Sequence, residues 1–499
     1  MKGIYTPITK IRRQVFAEVA RIAFEEDEDY SKLDEAPFKI LPGEIARFRD
    51  SIFKERSIVG ERIRLAMGLS LRRVDEHSRV SLDAEKVNVP HRIHTHPLVN
   101  VITFACEACP TKSFYVTDNC RKCLAHPCVT VCPVNAVSLQ KDRAYIDKEK
   151  CVKCGKCKEV CPYSAIVSFE RPCAVACGVD AIESDHLGRA KINEEKCVAC
   201  GMCIVNCPFG AIADKSEIFQ LIKALKGGKK IYAEIAPSFV GQFGPLATPG
   251  KIISGLKRLG FEDVVEVALG ADVASIHEAE VFVETVPEKQ PFLGTSCCPS
   301  WTMTVEKFFP ELRENISSSH TPMVETAKTI KEKDPEAKIV FIGPCISKKL
   351  EALETEVTDY IDFVITFEEL IGMFVAKDID LADIEEDIKI QDASVFGRGY
   401  ANSGGVADAI INNIQRLYPD RKIDYAQADS LTDCRKMLAM AKAGKRDGYL
   451  IEGMACPGGC IGGPGTVLPT VKGERRVREF AKTSPYPTAL DNPHSNDRI

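Results

Sequence analysis

The chain has 499 residues, 45% hydrophobic and 27% charged, with 66 basic against 71 acidic side chains and a formal charge of −5. That length suggests about three domains, and the composition excludes a disordered chain. The charge balance leaves no electrostatic footprint for nucleic acid, and no stretch reaches the ~18 consecutive apolar residues of a membrane span.

Residues 1–100 contain no cysteine. The first thirty residues show no apolar h-region and no small-residue cleavage site, so a cytoplasmic location is expected. Apolar spacing predicts a helix over residues 11–25, followed by acidic EEDEDY and a mixed segment ending in HRIHTHP. His94 and His96 have no third ligand close by in sequence and read as packing or docking surface. The region is set apart as a helical or mixed unit of unknown role.

Sixteen of the 22 cysteines follow, between Cys106 and Cys207. In a large chain without an export signal, cysteines crowded into CxxC units mean metal and not disulfides. Cys151, Cys154, Cys157 and Cys161-Pro162 fit the bacterial ferredoxin run, as do Cys197, Cys200, Cys203 and Cys207-Pro208. Cys120, Cys123, Cys128 and Cys132-Pro133 form a two-residue-longer variant. Three repeats of this pattern indicate 4Fe–4S clusters; structural zinc sites rarely place a close third cysteine before a CP pair.

Cys106 with Cys109, and Cys173 with Cys177, are left over. CAVACGVDAI at 173–182 echoes CVTVCPVNAV at 128–137, so Cys106 and Cys109 could supply its missing CxxC. Four clusters with crossed fourth ligands then result. One half would join Cys120, Cys123, Cys128 and Cys161, beside Cys151, Cys154, Cys157 and Cys132. The other would join Cys106, Cys109, Cys173 and Cys207, beside Cys197, Cys200, Cys203 and Cys177. The alternative gives three clusters, with Cys106, Cys109, Cys173 and Cys177 in a zinc or structural site. Either way, residues 101–215 read as an α+β ferredoxin-like module.

From residue 216 the pattern changes. KKIYAEIAP, DVVEVAL and AKIVFIGP are strand-like, while GKIISGLKRLG and IHEAEVFVETV are helical. This alternation predicts doubly wound parallel sheets over residues 216–499. Ligands in such folds gather beyond strand C-termini, where Cys345 follows the apolar run 339–342. No GxGxxG or flavin loop is evident, so NAD(P)H is not expected to react on this chain. The polar, Pro-rich end, SPYPTALDNPHSNDRI, is expected to hug the surface or be loose.

TSCCPSW at 295–301, GPCISKKLE at 343–351 and EGMACPGGCIGGPG at 452–465, with APS at 236–238 and SGGV at 403–406, resemble the signature loops of FeFe-hydrogenases. The order after ferredoxin-type runs is similar too, and the details suggest a divergent branch. The resemblance implies an α/β catalytic domain of two parallel-sheet lobes holding an H-cluster. That cofactor is a 4Fe–4S cubane bridged to a diiron subsite with CO, cyanide and azadithiolate. Cys298, Cys345, Cys456 and Cys460 would ligate the cubane, with Cys460 bridging to the diiron subsite.

By the same resemblance, Cys297 would pass protons as a free thiol and Lys348 would bond a cyanide ligand. Pro237, Ser238 and Met454 would line the site. Cys434 matches no motif and is expected to be an ordinary buried cysteine. Glu278 and Ser317 would begin a proton path. The sequence departs from the pattern at Gly343 in place of methionine, Met323 in place of glutamine, and Val281 and Thr285 in place of an outer glutamate and arginine. Either water or another acid, such as Glu280 or Glu284, would then serve the outer half of the path, or proton transfer would be slower.

The expected activity is that of a ferredoxin hydrogenase interconverting protons and H2. Ferredoxin or a similar carrier would be its electron partner, and diiron maturation proteins would load it. A slow sensory hydrogenase, or an electron-transfer or assembly protein without the diiron subsite, is the rival reading.

Overall fold

The computed structural model describes residues 3–26, 29–93, 95–386, 388–390 and 392–496; His94 lies outside them. The chain opens with the helix Pro7–Phe24, as the sequence pattern predicts. Pro7 suits its first turn, and the Thr6 hydroxyl caps it by accepting from Thr9 N–H at 3.2 Å. With helices Ser31–Ile40 and Ile52–Ala66 it packs into the same core as the helix Phe367–Ala376, far along the chain. At Gly372 the two helices nearly touch: an added Cβ would lie 2.7 Å from Phe16 Cβ. The first hundred residues are therefore largely a structural buttress, and His96 within them is exposed.

Four short antiparallel ladders make up the cysteine-rich region, and they are nested. Ser113–Val116 pairs with Ile166–Phe169 around the hairpin of Val137–Leu139 and Ala144–Ile146. Outside this unit, Val99–Val101 pairs with Ile212–Asp214, together with the hairpin of Ile182–Ser184 and Ala190–Ile192. One half is thus continuous in sequence, and the other is assembled from the two segments that flank it.

Two parallel-sheet lobes follow. The first has strand order Asp263–Glu266, Ile231–Ile235, Lys338–Gly343, Phe363–Thr366, all parallel. In the second, Leu293–Gly294 and Asp424–Ala428 flank Tyr449–Gly453, also in parallel. Lys338–Gly343 and Phe363–Thr366 are near-continuous apolar runs and almost wholly buried, as strands covered on both faces require. The DVVEVAL segment differs from its strand expectation. Its strand stops at Glu266, opposite Ile235, the last residue of the neighbouring strand, and Val267 begins the long helix Val267–Thr285.

Through Ser495 the C-terminal segment is packed against the protein. Asn492 is fully buried and donates to Asp272 Oδ2 at 2.9 Å, and Ser495 is buried beside it. A buried polar side chain with a matching acceptor holds where composition alone suggested mobility. Among the described residues no helix is long and apolar enough to cross a membrane.

A buried ion pair ties the first lobe to its outer helices. Arg398 grips Glu266 through two bonds of 2.7 and 2.6 Å, with side-chain exposures of 0% and 2%. Replacing Arg398 by Met is expected to cost about 3–5 kcal/mol, because a buried carboxylate loses its partner. Anaerobic denaturant unfolding measures this, and Glu266→Leu in the same chain should recover part of the loss.

Gly201, at φ +73°, is one point where the cysteine module meets the parallel-sheet lobes. A Cβ there would lie 2.7 Å from both Ile346 and Pro464. Gly201→Ala is expected to destabilise the protein by about 1–3 kcal/mol. A lowered melting temperature would show it, whereas an unchanged one would mean that the two parts can separate freely.

Candidate metal centres

The sixteen clustered cysteines occupy four equivalent loops. In each CxxC the residue before the second cysteine has a left-handed backbone: Ala108, Lys122, Lys153 and Ala199, at φ 45°, 47°, 58° and 49°. Non-glycine residues seldom adopt this conformation, so its repetition marks one shared loop geometry. The third residue after each CP-type cysteine repeats the device at Asn135, Ser164, Asp180 and Gly210.

Each of those cysteines also accepts a backbone N–H from four residues on. Ala136 donates to Cys132 at 3.2 Å, Ala165 to Cys161 at 3.4 Å, Ala181 to Cys177 at 3.2 Å and Ala211 to Cys207 at 3.3 Å. Cys106 accepts from Ala190 just as Cys120 accepts from Ala144. Such N–H···S bonds favour thiolate sulfur. Nothing in its sequence spacing alone showed that the Cys106–Cys109 loop matches the other three.

The thiols also group in fours. Burial raises the Cys128 thiol, and Cys161, Cys120 and Cys123 add to the shift. Cys157 is raised by burial and then by Cys151, Cys154 and Cys132. Cys173 is pushed up to about 11 by burial, then by Cys207, Cys106 and Cys109. Burial likewise carries Cys200 up to about 12, with Cys177 and Cys197 beside it, and Cys203 neighbours the same three. Among the described residues, however, no three His, Cys, Asp or Glu side chains close to the separation one metal ion needs.

Cys200 reaches further, to a cavity of about 90 Å³ between the two lobes. Cys298, Cys345, Cys456 and Cys460 all face into it, as does Cys297. Four of the five stand where a strand ends: Cys345 after Lys338–Gly343, Cys456 after Tyr449–Gly453, and Cys297 and Cys298 after Leu293–Gly294, while Cys460 opens the short helix Cys460–Gly462. Trp301, fully buried, donates from Nε1 to Thr295 O at 3.0 Å and packs its ring on Gly453, which fixes the two loops together. Gly458 and Gly459, at φ +83° and +88°, wrap the last loop so closely that a Cβ on Gly459 would meet the backbone of Asn402 and Ser403 at 2.6–2.7 Å. Cys460 retains accessible surface, but that surface faces the cavity, and its dense surroundings still push the thiol up to about 12.

The other predicted residues sit on the same wall. Pro237, Ser238 and Met454 line the cavity, and the buried Ser238 hydroxyl has no hydrogen-bond partner. Lys348 lies 2.6 Å from Glu351 Oε2 and donates to Thr321 Oγ1 at 2.8 Å. Burial opposes its charge, but Glu351 and the nearby thiols more than offset this, so its pKa is raised. The departures from the family pattern are legible here. The Phe341 ring fills the space above Gly343, and Met323 contributes an apolar surface where a glutamine would bring an amide.

Glu278 is buried behind Cys297. Its Oε1 accepts from both the backbone N–H and the hydroxyl of Ser296 at 3.1 Å, and the nearby Ser317 hydroxyl also favours its charged form. Burial outweighs these bonds and lifts the carboxyl to about 7. Sequence reasoning missed Ser296, Thr321, Glu351 and Tyr400, whose buried hydroxyl borders the cavity near Cys297 and Glu278. Cys434 is fully buried in the second lobe, away from the cavity wall. A larger, open cleft of about 1150 Å³ near Gly244 and Asp380 contains no cysteine.

Comparison with known proteins agrees with this architecture. Residues 229–464 match the family described as iron only hydrogenase large subunit, C-terminal domain, and residues 144–167 and 190–213 match the 4Fe-4S binding domain. Iron hydrogenase 1 of Clostridium pasteurianum is 28% identical over 51% of this chain and 53% of its own length, so the chain spans about half of that relative. The periplasmic Fe hydrogenase large subunit of Nitratidesulfovibrio vulgaris is 30% identical over 65% of this chain and 87% of its own. The cytosolic Fe-S cluster assembly factor narfl of Danio rerio is 23% identical over 44% and 66%. Among solved structures, FeFe-hydrogenase HydA1 from Chlamydomonas reinhardtii matches at 22% identity and a TM-score of 0.45, over 54% of this chain and 88% of that one. A ferredoxin-like iron–sulfur region thus precedes two parallel-sheet lobes, and the chain belongs to the iron-only hydrogenase family.

Proposed function

We propose that the chain catalyses 2H⁺ + 2e⁻ ⇌ H2 at an H-cluster held in the inter-lobe cavity, with electrons relayed by its own 4Fe–4S clusters. The observation that carries this reading is the convergence of Cys298, Cys345, Cys456 and Cys460 on one enclosure that also holds Cys297 and the buried cation Lys348. The residues fit the group. Four thiols match a cubane, while the unpartnered Ser238 hydroxyl and the Lys348 ammonium offer donors to small anionic ligands. Cys460 would serve both the cubane and the diiron subsite, beside Pro237 and Met454. When bound, that subsite would supply an open coordination position for making or splitting H2.

The chain's own residues would manage the protons. Cys297 would exchange a proton with the bound cofactor and Glu278 with Cys297, while Ser296 and Ser317 fix the carboxyl's orientation. A carboxyl lifted to about 7 can both give and take a proton near neutral pH.

The sixteen other thiols would hold four 4Fe–4S clusters in the crossed tetrads described above. The shared loop conformation at Ala108 and Asp180, the N–H···S bonds at Cys106 and Cys177, and the placing of Cys173 and Cys177 in different groups of thiols favour clusters there over one zinc site. The tetrad of Cys197, Cys200, Cys203 and Cys177 would be the last step before the cavity, since Cys200 lines it. Ferredoxin or a similar carrier would be the external partner. The similarity to an assembly factor favours a second reading, in which a cubane is kept without a diiron subsite.

Infrared spectra of protein matured anaerobically with diiron maturation proteins separate the two. Cyanide and CO bands that shift between CO and H2 atmospheres are expected; iron–sulfur clusters without those bands would establish the assembly reading. Cys173→Ser is expected to lower the iron content by about four atoms per chain, whereas loss of one zinc with iron unchanged would reject the four-cluster arrangement. Glu278→Gln should lower turnover by about a hundredfold, and unchanged turnover would mean that another route carries the protons.

A further inference from the structure

The hydrogen bonds around Glu278 continue past Ser317. The Ser317 hydroxyl donates to Ser319 Oγ at 2.8 Å, and the Ser319 backbone N–H donates to Ser317 Oγ at 3.1 Å. Ser319 Oγ in turn lies 3.0 Å from His277 Nδ1. The two serines are buried at 4% and 7% exposure, while His277 stands exposed on the helix Val267–Thr285. His277 and Glu278 are chain neighbours, about 100° apart around that helix. One therefore faces the buried interior and the other solvent, and the loop 317–319 bridges them. Ser296 steadies the bridge by donating to Ser319 O at 2.9 Å. Glu280 and Glu284 lie on the same helix but outside this run of bonds.

We propose that Ser319 and His277 form the outer half of the proton path, connecting Glu278 to solvent where Val281 and Thr285 interrupt the family's route. The inference deepens the hydrogenase reading and rests on it for the purpose of the path. For a proton leaving, the Glu278 carboxyl gives its proton to Ser317 Oγ as the Ser317 hydroxyl proton passes to Ser319 Oγ. The Ser319 proton passes to His277 Nδ1, and the imidazolium releases its Nε2 proton to water. The ring then regains its starting tautomer by exchange with solvent. Each hydroxyl gains one proton and loses one, so one H⁺ crosses, no electrons move and no co-reactant is consumed. Proton entry is the reverse.

Hydrogen–deuterium exchange of the Glu278 carboxyl tests this in protein carrying its 4Fe–4S clusters but no diiron subsite. The carboxyl C=O band, identified by its loss in Glu278→Gln, is followed by infrared after mixing into D2O at about pH 6, where burial keeps the group largely protonated. In the native chain the band should shift within the mixing time. His277→Ala and Ser319→Ala should each slow the shift by about tenfold or more, and added imidazole should restore His277→Ala but not Ser319→Ala. In diiron-loaded enzyme both variants should lower H2 evolution by a similar factor, with the CO and cyanide bands unmoved.

Native exchange rates in both variants would overturn the relay. Slowing in Ser319→Ala alone, or a His277→Ala defect that imidazole fails to rescue, would overturn the role of His277. Slowed and rescued exchange in a chain that forms no H2 when loaded would keep the relay and remove the hydrogenase reading instead.

Discussion

The fold turns on one buried ammonium group. Lys349 has no exposed surface, and its three donors are all used: Asp214 Oδ2 at 2.8 Å, Lys215 O at 2.8 Å and Glu369 Oε1 at 2.9 Å. Those acceptors belong to the end of the cysteine module and to the helix Phe367–Ala376, while Lys349 itself belongs to the signature loop behind Cys345. Glu369 also closes the capping box with Thr366 at the start of that helix, so one carboxylate orders a helix terminus and a domain junction together. Burial opposes the charge on Lys349, but Asp214 and Glu369 outweigh it and its pKa stands above the usual lysine value. A buried cation with every donor satisfied tolerates little displacement. This constraint sets the position of Cys345 relative to Cys200, on which the proposed entry of electrons to the cavity would depend.

The two adjacent lysines divide the work. Lys349 looks away from the cavity and holds the protein together, while Lys348 looks into it and brings positive charge among five thiols. Glu351 and Thr321 keep that charge in place from behind. Apolar surfaces, including Phe341, Met323 and Met454, form much of the remaining wall. In such surroundings a few oriented donors act with little competition from water. Met323 in place of glutamine makes this wall less polar, and the Phe341 ring fills the space above Gly343.

Much of this was legible in the sequence, for reasons that differ by element. CxxC runs are short-range patterns, so the three ferredoxin-type runs could be read from spacing and repetition, whereas the place of Cys106 and Cys109 stayed open between a cluster and a zinc site. The parallel strands were visible as apolar runs, and the signature loops as motifs at strand ends. Long-range contacts were not legible. Nothing local distinguishes Lys349 from its neighbour Lys348, or ties Asn492 to Asp272 across 220 residues. Ser319 likewise reads as one residue of a polar SSS run until the fold brings it to His277. The boundary between strand and helix at Val267 was missed because β-branched residues continue through it, and the end of the neighbouring strand decides where pairing stops.

The nesting of the ladders has a consequence for synthesis of the chain. The inner half, closed by Ser113–Val116 with Ile166–Phe169, is complete once its last strand leaves the ribosome. The outer half cannot close then, because Val99–Val101 must wait for Ile212–Asp214. Through that interval Cys106 and Cys109 are made but lack Cys173 and Cys207, which would complete their tetrad. Closing the longer loop also carries the larger entropic cost. On the four-cluster arrangement proposed above, cluster insertion would acquire a built-in sequence, inner pair before outer, with the thiols nearest the N-terminus left unprotected longest.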